Sequence, residues 1–171
     1  MIEWNIESLK SQHDRSQFDC GNSVLNDWLR LRATQYERRH ISRSFGATRA
    51  GAHEVLGFYS LSAHHVEYRD LADKLAKGLP RLDIPVVLIG RLGVDLRVQG
   101  QGLGSALVVS AFRRTLKHAK ELGIRGVEVD AIDEKARAFY MRLGFESLRD
   151  DMNHLFMSMT VLEKLGLPPM D

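Results

Sequence analysis

The sequence predicts an α/β (α+β) protein: a mixed, mostly antiparallel sheet of six to seven strands with a central parallel pair, flanked by helices. Three observations predict it. Val86 to Val94 is an apolar run suited to a buried central strand, Arg97 to Gly104 is a glycine-rich turn, and Leu103 to Leu122 carries apolar residues at helical spacing before a second apolar strand at Arg125 to Ile132. A strand–helix–strand unit of this kind makes its strands parallel neighbours through a right-handed crossover. Strand pairs before and after it are joined by short loops, which makes them antiparallel.

The elements follow in order. Ile2 to Ile6 alternates like a short strand. Asn22 or Ser23 caps a helix that carries Val24, Leu25, Trp28, Leu29, Leu31 and Tyr36. Ser42 to Arg49 and Glu54 to Ala63 read as a hairpin turning at Ala50 to His53, and Tyr68 to Lys77 reads as a helix ended by Gly78 and Pro80. Gly123 stops the long helix. Asp133 caps a shorter one that runs to Leu143 and closes at Gly144, and Phe145 to Leu148 and His154 to Val161 form a last hairpin.

A chain of 171 residues with 44% apolar and 27% charged residues favours a single domain, 1–171, with a sizeable core. The one cysteine, Cys20, has no internal disulfide partner and reads as a small core residue of a cytoplasmic protein. Met1 to Lys10 is polar, without the apolar centre of a signal peptide, and no run reaches the length of a membrane span. Net charge is only +2, but Arg30, Arg32, Arg38, Arg39, Arg43 and Arg49 crowd one stretch, with Arg69, Lys74, Lys77 and Arg81 following. Such clusters are either solvated helix faces or phosphate contacts, and composition does not decide between them.

The chemistry begins at the glycine turn. Gly100, Gly102 and Gly104 stand at alternate positions just where a helix begins. Backbone N–H groups gathered there, with the positive end of the helix dipole, suit a phosphate. A nucleotide P-loop needs a lysine before the hydroxyl residue, and Ser105 follows Gly104 directly. A dinucleotide fingerprint needs a third glycine where Ser105 or Leu107 stands.

Arg97-x-x-Gly100-x-Gly102 resembles the Arg/Gln-x-x-Gly-x-Gly/Ala motif of the GNAT superfamily of N-acetyltransferases, and Asp133 to Phe145 is similar to that superfamily's second motif. The resemblance implies acetyl-CoA as co-substrate, no metal, and a pyrophosphate held by Val98, Gln99, Gly100, Gln101, Gly102, Leu103, Gly104 and Ser105. Backbone donors suffice there, which leaves the side chains of Val98, Gln101 and Leu103 free to vary. It also implies that Leu92, Gly93 and Val94 run beside the pantetheine, that Asp133 and Phe139 lie near the cofactor, and that Tyr140 gives a proton to the departing CoA thiolate. A phenol is protonated at neutral pH and suits that role. A general base is not evident: Glu128, Asp130, Asp133 and the seven histidines are all conceivable. His64 and His65 are adjacent in a strand, so alternation sends their side chains to opposite faces.

Phe18-Asp19-Cys20-Gly21, Leu25 to Leu29, Gly57 to Ser62 and Ile84 to Leu92 further resemble one branch of that superfamily, the toxin half of bacterial type II toxin–antitoxin pairs. That branch acetylates the α-amine of aminoacyl-tRNA and blocks translation. The resemblance implies a tRNA substrate, with Arg38, Arg39, Lys77, Arg81 and Arg91 as candidate RNA contacts, a ribbon-helix-helix antitoxin, and a homodimer. Gly93 stands where alanine is expected. A small-molecule or protein N-acetyltransferase is the alternative, and a non-catalytic acyl-CoA-binding module a third reading.

Overall fold

The computed structural model describes residues 2–171. Among the described residues there are seven strands: β1 (Trp4–Ser8), β2 (Arg43–Arg49), β3 (Gly57–Val66), β4 (Ile84–Val94), β5 (Gly126–Asp130), β6 (Glu146–Ser147) and β7 (His154–Ser158). Their order is β1-β2-β3-β4-β5-β7-β6. β4 and β5 are parallel, with Val86 opposite Gly126 and Ile89 opposite Val129, while β1–β2, β2–β3, β5–β7 and β6–β7 are antiparallel. The mixed sheet with one parallel pair is as the sequence predicts. No helix among the described residues is long and apolar enough to cross a membrane.

The chain forms two compact units. The first contains the stretch ending at Ser62 together with Gly90–Ala111. Its core gathers Leu9, Phe18, Trp28, Leu29, Ala33, Val55 and Phe58. Phe58 takes the edge of Phe18 at 5.5 Å between centroids and stacks on Trp28 at 6.0 Å. The helix that supplies Trp28 is not a uniform α-helix. Asn22 caps α1 (Ser23–Asp27) by accepting from the Leu25 N–H, and α2 (Ala33–Arg38) follows, but the five residues Trp28–Arg32 between them form a π-helical turn. The Ala33 N–H donates to the Trp28 carbonyl across that wider ring. Trp28, Leu29 and Ala33 thereby all reach the core, while Leu31 is left exposed.

The second unit contains Ala63–Ile89 and Phe112–Asp171. Val66, Leu71, Ile84, Val86, Leu148 and Phe156 form one of its clusters. Gly126 is required in β5 because a Cβ there would lie 2.3 Å from the Met157 carbonyl oxygen. Three sequence expectations are corrected. Tyr68–Lys77 is a single 3-10 turn (Tyr68–Asp70) and the short α3 (Asp73–Ala76). The long helix α4 (Leu103–His118) ends before Leu122. The final strand stops at Ser158, whose hydroxyl accepts from the Val161 N–H and starts α6 (Met159–Lys164).

Candidate active site

In the first unit, β4 runs into the glycine turn through Asp95. This residue is 1% exposed, and its carboxylate accepts from the Arg97 backbone N–H at 2.9 Å, from Arg97 Nε at 2.9 Å and Nη2 at 3.0 Å, and from the Asp19 N–H at 3.2 Å. Burial pushes the Asp95 carboxyl up, but the hydrogen bonds from Arg97 outweigh it and hold the group below the usual carboxylate range. Arg97 also meets Glu54 at 2.8 Å. The first residue of the motif is therefore occupied in bracing the turn. Gln99 adds a second brace, donating from Nε2 to the Val94 carbonyl at 2.9 Å.

Beyond these braces the chain adopts the left-handed region twice, at Gly100 (φ +78°) and Gly102 (φ +83°). An added Cβ at either would meet nothing within 4 Å. These glycines are needed for backbone angle, and the space over them is open to an occupant. Gly102 accepts the first bond of α4, from the Ala106 N–H. The N–H groups of Leu103, Gly104 and Ser105 thus belong to the helix end, where intrahelical acceptors run out. The first turn of α4 holds no acidic side chain to answer the dipole. Donors so arranged suit an anion. One expectation is corrected: Val98 and Leu103 are core residues, 3% and 1% exposed, and are not free to vary. Leu103 Cδ2 would stand 2.9 Å from a Cβ at Gly57, so its seat depends on that glycine. Gly93 has a packing reason as well, since a Cβ there would approach Phe58 Cε1 to 3.0 Å.

In the second unit, Asp133 caps α5 (Glu134–Arg142) by accepting from the Ala136 N–H at 2.8 Å. The helix carries Phe139, half-buried, and Tyr140, 6% exposed. The Tyr140 ring meets Phe139 at 5.1 Å and Phe145 at 5.5 Å, both edge-on. Burial pushes the phenol well above its ordinary range, so it is protonated at neutral pH. Among the described residues no group takes a hydrogen bond from its hydroxyl. A buried phenol without an internal partner is available to a ligand.

The family model for the acetyltransferase (GNAT) domain matches residues 42–147, a span that takes in both the glycine turn and the Tyr140 helix. The chain belongs to the GNAT acetyltransferase family. It is an N-acetyltransferase, and acetyl-CoA is its co-substrate. The GNAT chain is 37% identical over 146 residues to the tRNA-acetylating toxin of Mycobacterium tuberculosis, covering 85% of this chain and 86% of that one. It also resembles the solved structure of AtaT complexed with acetyl-methionyl-tRNAfMet, with a TM-score of 0.89, 34% identity, and 96% and 99% of the two chains covered. A third likeness is to a tyrosine-to-phenylalanine AtaT mutant toxin bound to acetyl-CoA and the C-terminus of the antitoxin AtaR, with a TM-score of 0.81, 31% identity, and 96% and 99% covered.

The remaining candidates of the GNAT chain divide between the units. Arg38 and Arg39 lie exposed at the end of α2, and Lys77 and Arg81 are exposed in the second unit. Arg91 is half-buried, and its guanidinium lies 4.3 Å from the Trp28 ring centroid and 5.4 Å from that of Tyr36. Cys20 packs against the first core, and burial pushes its thiol up, which suits a packing role. Sequence reasoning missed a cluster on β3, β5 and β7. Glu128 is 1% exposed, and its two oxygens meet His64 Nδ1 at 2.5 Å and His154 Nε2, while His154 Nδ1 reaches Asp150 at 2.8 Å. The available signal was a carboxylate inside an otherwise apolar strand, Gly126-Val127-Glu128-Val129. His64 and His65 also differ from expectation. Both sit at the exposed end of β3, where their rings turn to stack at 5.2 Å between centroids despite the alternation of their Cβ bonds.

Proposed function

We propose that this GNAT acetyltransferase is a tRNA-acetylating toxin, which transfers acetyl from acetyl-CoA to the α-amine of aminoacyl-tRNA and so blocks translation in the cytoplasm. The observation that carries the reading is the reach of the likeness: it covers 85% of the chain against a tRNA-acetylating toxin, far beyond the cofactor turn. The solved neighbour that carries acetyl-methionyl-tRNAfMet supports it on 96% of the chain.

In this reading acetyl-CoA supplies an acyl group already activated as a thioester. The backbone from Val98 to Ser105 binds the pyrophosphate and fixes where the acyl end lies. The N–H groups of Leu92 to Val94 serve the carbonyl as charge builds on its oxygen. As the amine nitrogen bonds to the acyl carbon and the carbon–sulfur bond breaks, Tyr140 Oη gives its proton to the sulfur. The Tyr140 hydroxyl, on a buried ring and without a partner among the described residues, supports that role, as does the neighbouring toxin structure that carries a tyrosine-to-phenylalanine substitution. Exposed Arg38, Arg39, Lys77 and Arg81 suit tRNA phosphates. Arg91, held over Trp28, suits a base or a phosphate. A ribbon-helix-helix antitoxin and a second copy of the chain complete the assembly; a neighbour bound to the C-terminus of its antitoxin supports an antitoxin partner, whatever its fold.

The test is incubation of the protein with acetyl-CoA and a fully charged tRNA pool, with products read by liquid chromatography and mass spectrometry. N-acetyl-aminoacyl-adenosine after nuclease digestion is the expected product. Acetylation of free amines or peptides with no tRNA product would instead make it a small-molecule or protein N-acetyltransferase.

A further inference from the structure

We infer that His64 is the proton acceptor for the attacking amine, set for that task by Glu128, which His154 and Asp150 hold in place. The inference rests on the acetyl-transfer reading above and extends it, since that reading names a donor for the thiolate and no acceptor for the amine.

The tautomers follow from the contacts. An ionised carboxylate offers only acceptor oxygens, so a ring nitrogen that bonds to one must carry hydrogen. His64 Nδ1 faces Glu128 Oε1 at 2.5 Å and is therefore N–H. In the neutral ring this leaves the lone pair on Nε2. The His64 side chain is 47% exposed while Glu128 is 1% exposed, so the accepting end of the dyad meets the outside and its anchor does not. His154 lies between two carboxylates, Nε2 on Glu128 and Nδ1 on Asp150, and so carries hydrogen on both nitrogens. Burial lowers the His154 pKa, but its hydrogen bonds to Glu128 and Asp150 outweigh that and raise it. The resulting imidazolium fixes Glu128 in one orientation, and Glu128 fixes the His64 ring.

The placement suits acetyl transfer. Glu128 pairs in register with Leu88 of the parallel partner β4, two residues before the end of β5 at Asp130. The carboxyl ends of parallel strands are where open α/β sheets bind their ligands. The groups that face His64 are Glu128 and Asp130 from β5, His154 from β7 and His65 from its own strand; Asp150 acts through His154, and Asp83 meets His65. The proton count balances. As the nitrogen–carbon bond forms and the carbon–sulfur bond breaks, the amine proton goes to His64 Nε2 and the Tyr140 proton goes to sulfur. The imidazolium and tyrosinate left behind are reset by one proton exchanged through solvent.

His64→Gln keeps a polar side chain and removes the base. Its kcat/KM at pH 7 is expected to fall about 10²-fold, the usual yield of a positioned base, with acetyl-CoA affinity unchanged. The deficit should persist toward pH 9, because the proton His64 accepts leaves the neutral amine only as the nitrogen–carbon bond forms. Glu128 is a positioning residue. Glu128→Gln should lower the rate less than His64→Gln does, and Glu128→Asp should recover part of it. Because Glu128 is buried, nitrogen-15 spectra of the wild-type imidazoles give a second readout: His64 as the Nδ1–H tautomer and His154 protonated on both nitrogens at pH 7. Either an Nε2–H tautomer at His64 or a His64→Gln rate equal to wild type across the pH range overturns the inference. If wild type acetylates another amine and no aminoacyl-tRNA, the tRNA reading fails while the His64→Gln ratio on that amine still judges the acceptor. Wild-type protein that acetylates no amine overturns both.

Discussion

The two units of this protein solve different problems with different atoms. The first gathers main-chain donors that suit an anion: two left-handed glycines and the N–H groups at the start of α4, with an Asp95–Arg97–Glu54 brace. The second presents side chains: a phenol on α5 with no partner among the described residues, and a carboxylate bridging two imidazoles. Binding a phosphate asks only for donors at fixed positions, which any residue supplies from its backbone. Moving protons asks for particular functional groups. A substitution should therefore act on the first unit through conformation and on the second through chemistry.

The largest expected effect is at Tyr140. Tyr140→Phe should lower turnover by about 10²-fold or more, with acetyl-CoA affinity by calorimetry unchanged. Among the described residues the hydroxyl has no partner, so the melting temperature should also hold. Loss of binding instead of turnover would mean that the second unit, too, serves mainly to bind. Next comes Gly102→Val, which forces a β-branched residue to φ +83°. That costs about 1–2 kcal/mol per residue, so acetyl-CoA should bind about tenfold more weakly. Turnover at saturating acetyl-CoA should be nearly unchanged, and a collapse of turnover would blur the division.

A smaller effect separates the units by pH. Asp95 has a lowered pKa in the folded state, so its contribution is present above its ordinary 3.8 and fades as pH falls through the lowered value. His154 has a raised pKa, so its contribution is full below its ordinary 6.5 and fades as pH climbs through the raised value. Hydrogen-exchange protection, corrected for intrinsic rates, should weaken around residues 95–98 in acid and along β7 in mild base. Protection that moves together in both regions would remove the distinction. The smallest effect is at Gln101, whose exposed side chain lies between the two glycines. Gln101→Ala should leave acetyl-CoA affinity within about twofold, because the donors there are backbone groups.

The same contrast explains what could be read from sequence. The parallel pair, the glycine turn and the Asp133 cap were legible because each has a local signature: an apolar run, alternating glycines, or a capping residue three positions before the N–H it binds. The Glu128 cluster was not. Its members come from β3, β5, β7 and the turn before β7, and only pairing in the sheet brings them together. Val98 and Leu103 were misjudged for a related reason. A turn rich in glycine reads as exposed throughout, yet its two apolar side chains point inward, one over the bare backbone of Gly57. The aromatic seat of Arg91 is likewise invisible in sequence, because nothing near it announces Trp28 and Tyr36.

The π-turn at Trp28–Arg32 has a consequence for how this helix tolerates insertions and deletions. A π-turn accommodates one residue more than α-helical winding would, so everything after it is rotated by roughly 100° around the axis. Tyr36 comes after the turn and Trp28 opens it, and Arg91 lies over both rings. Deleting the exposed Leu31 would restore ordinary winding and turn Tyr36 away from its place under the guanidinium. The aromatic seat of Arg91 is thus encoded by chain length as much as by residue identity, and a point-substitution scan would pass over it.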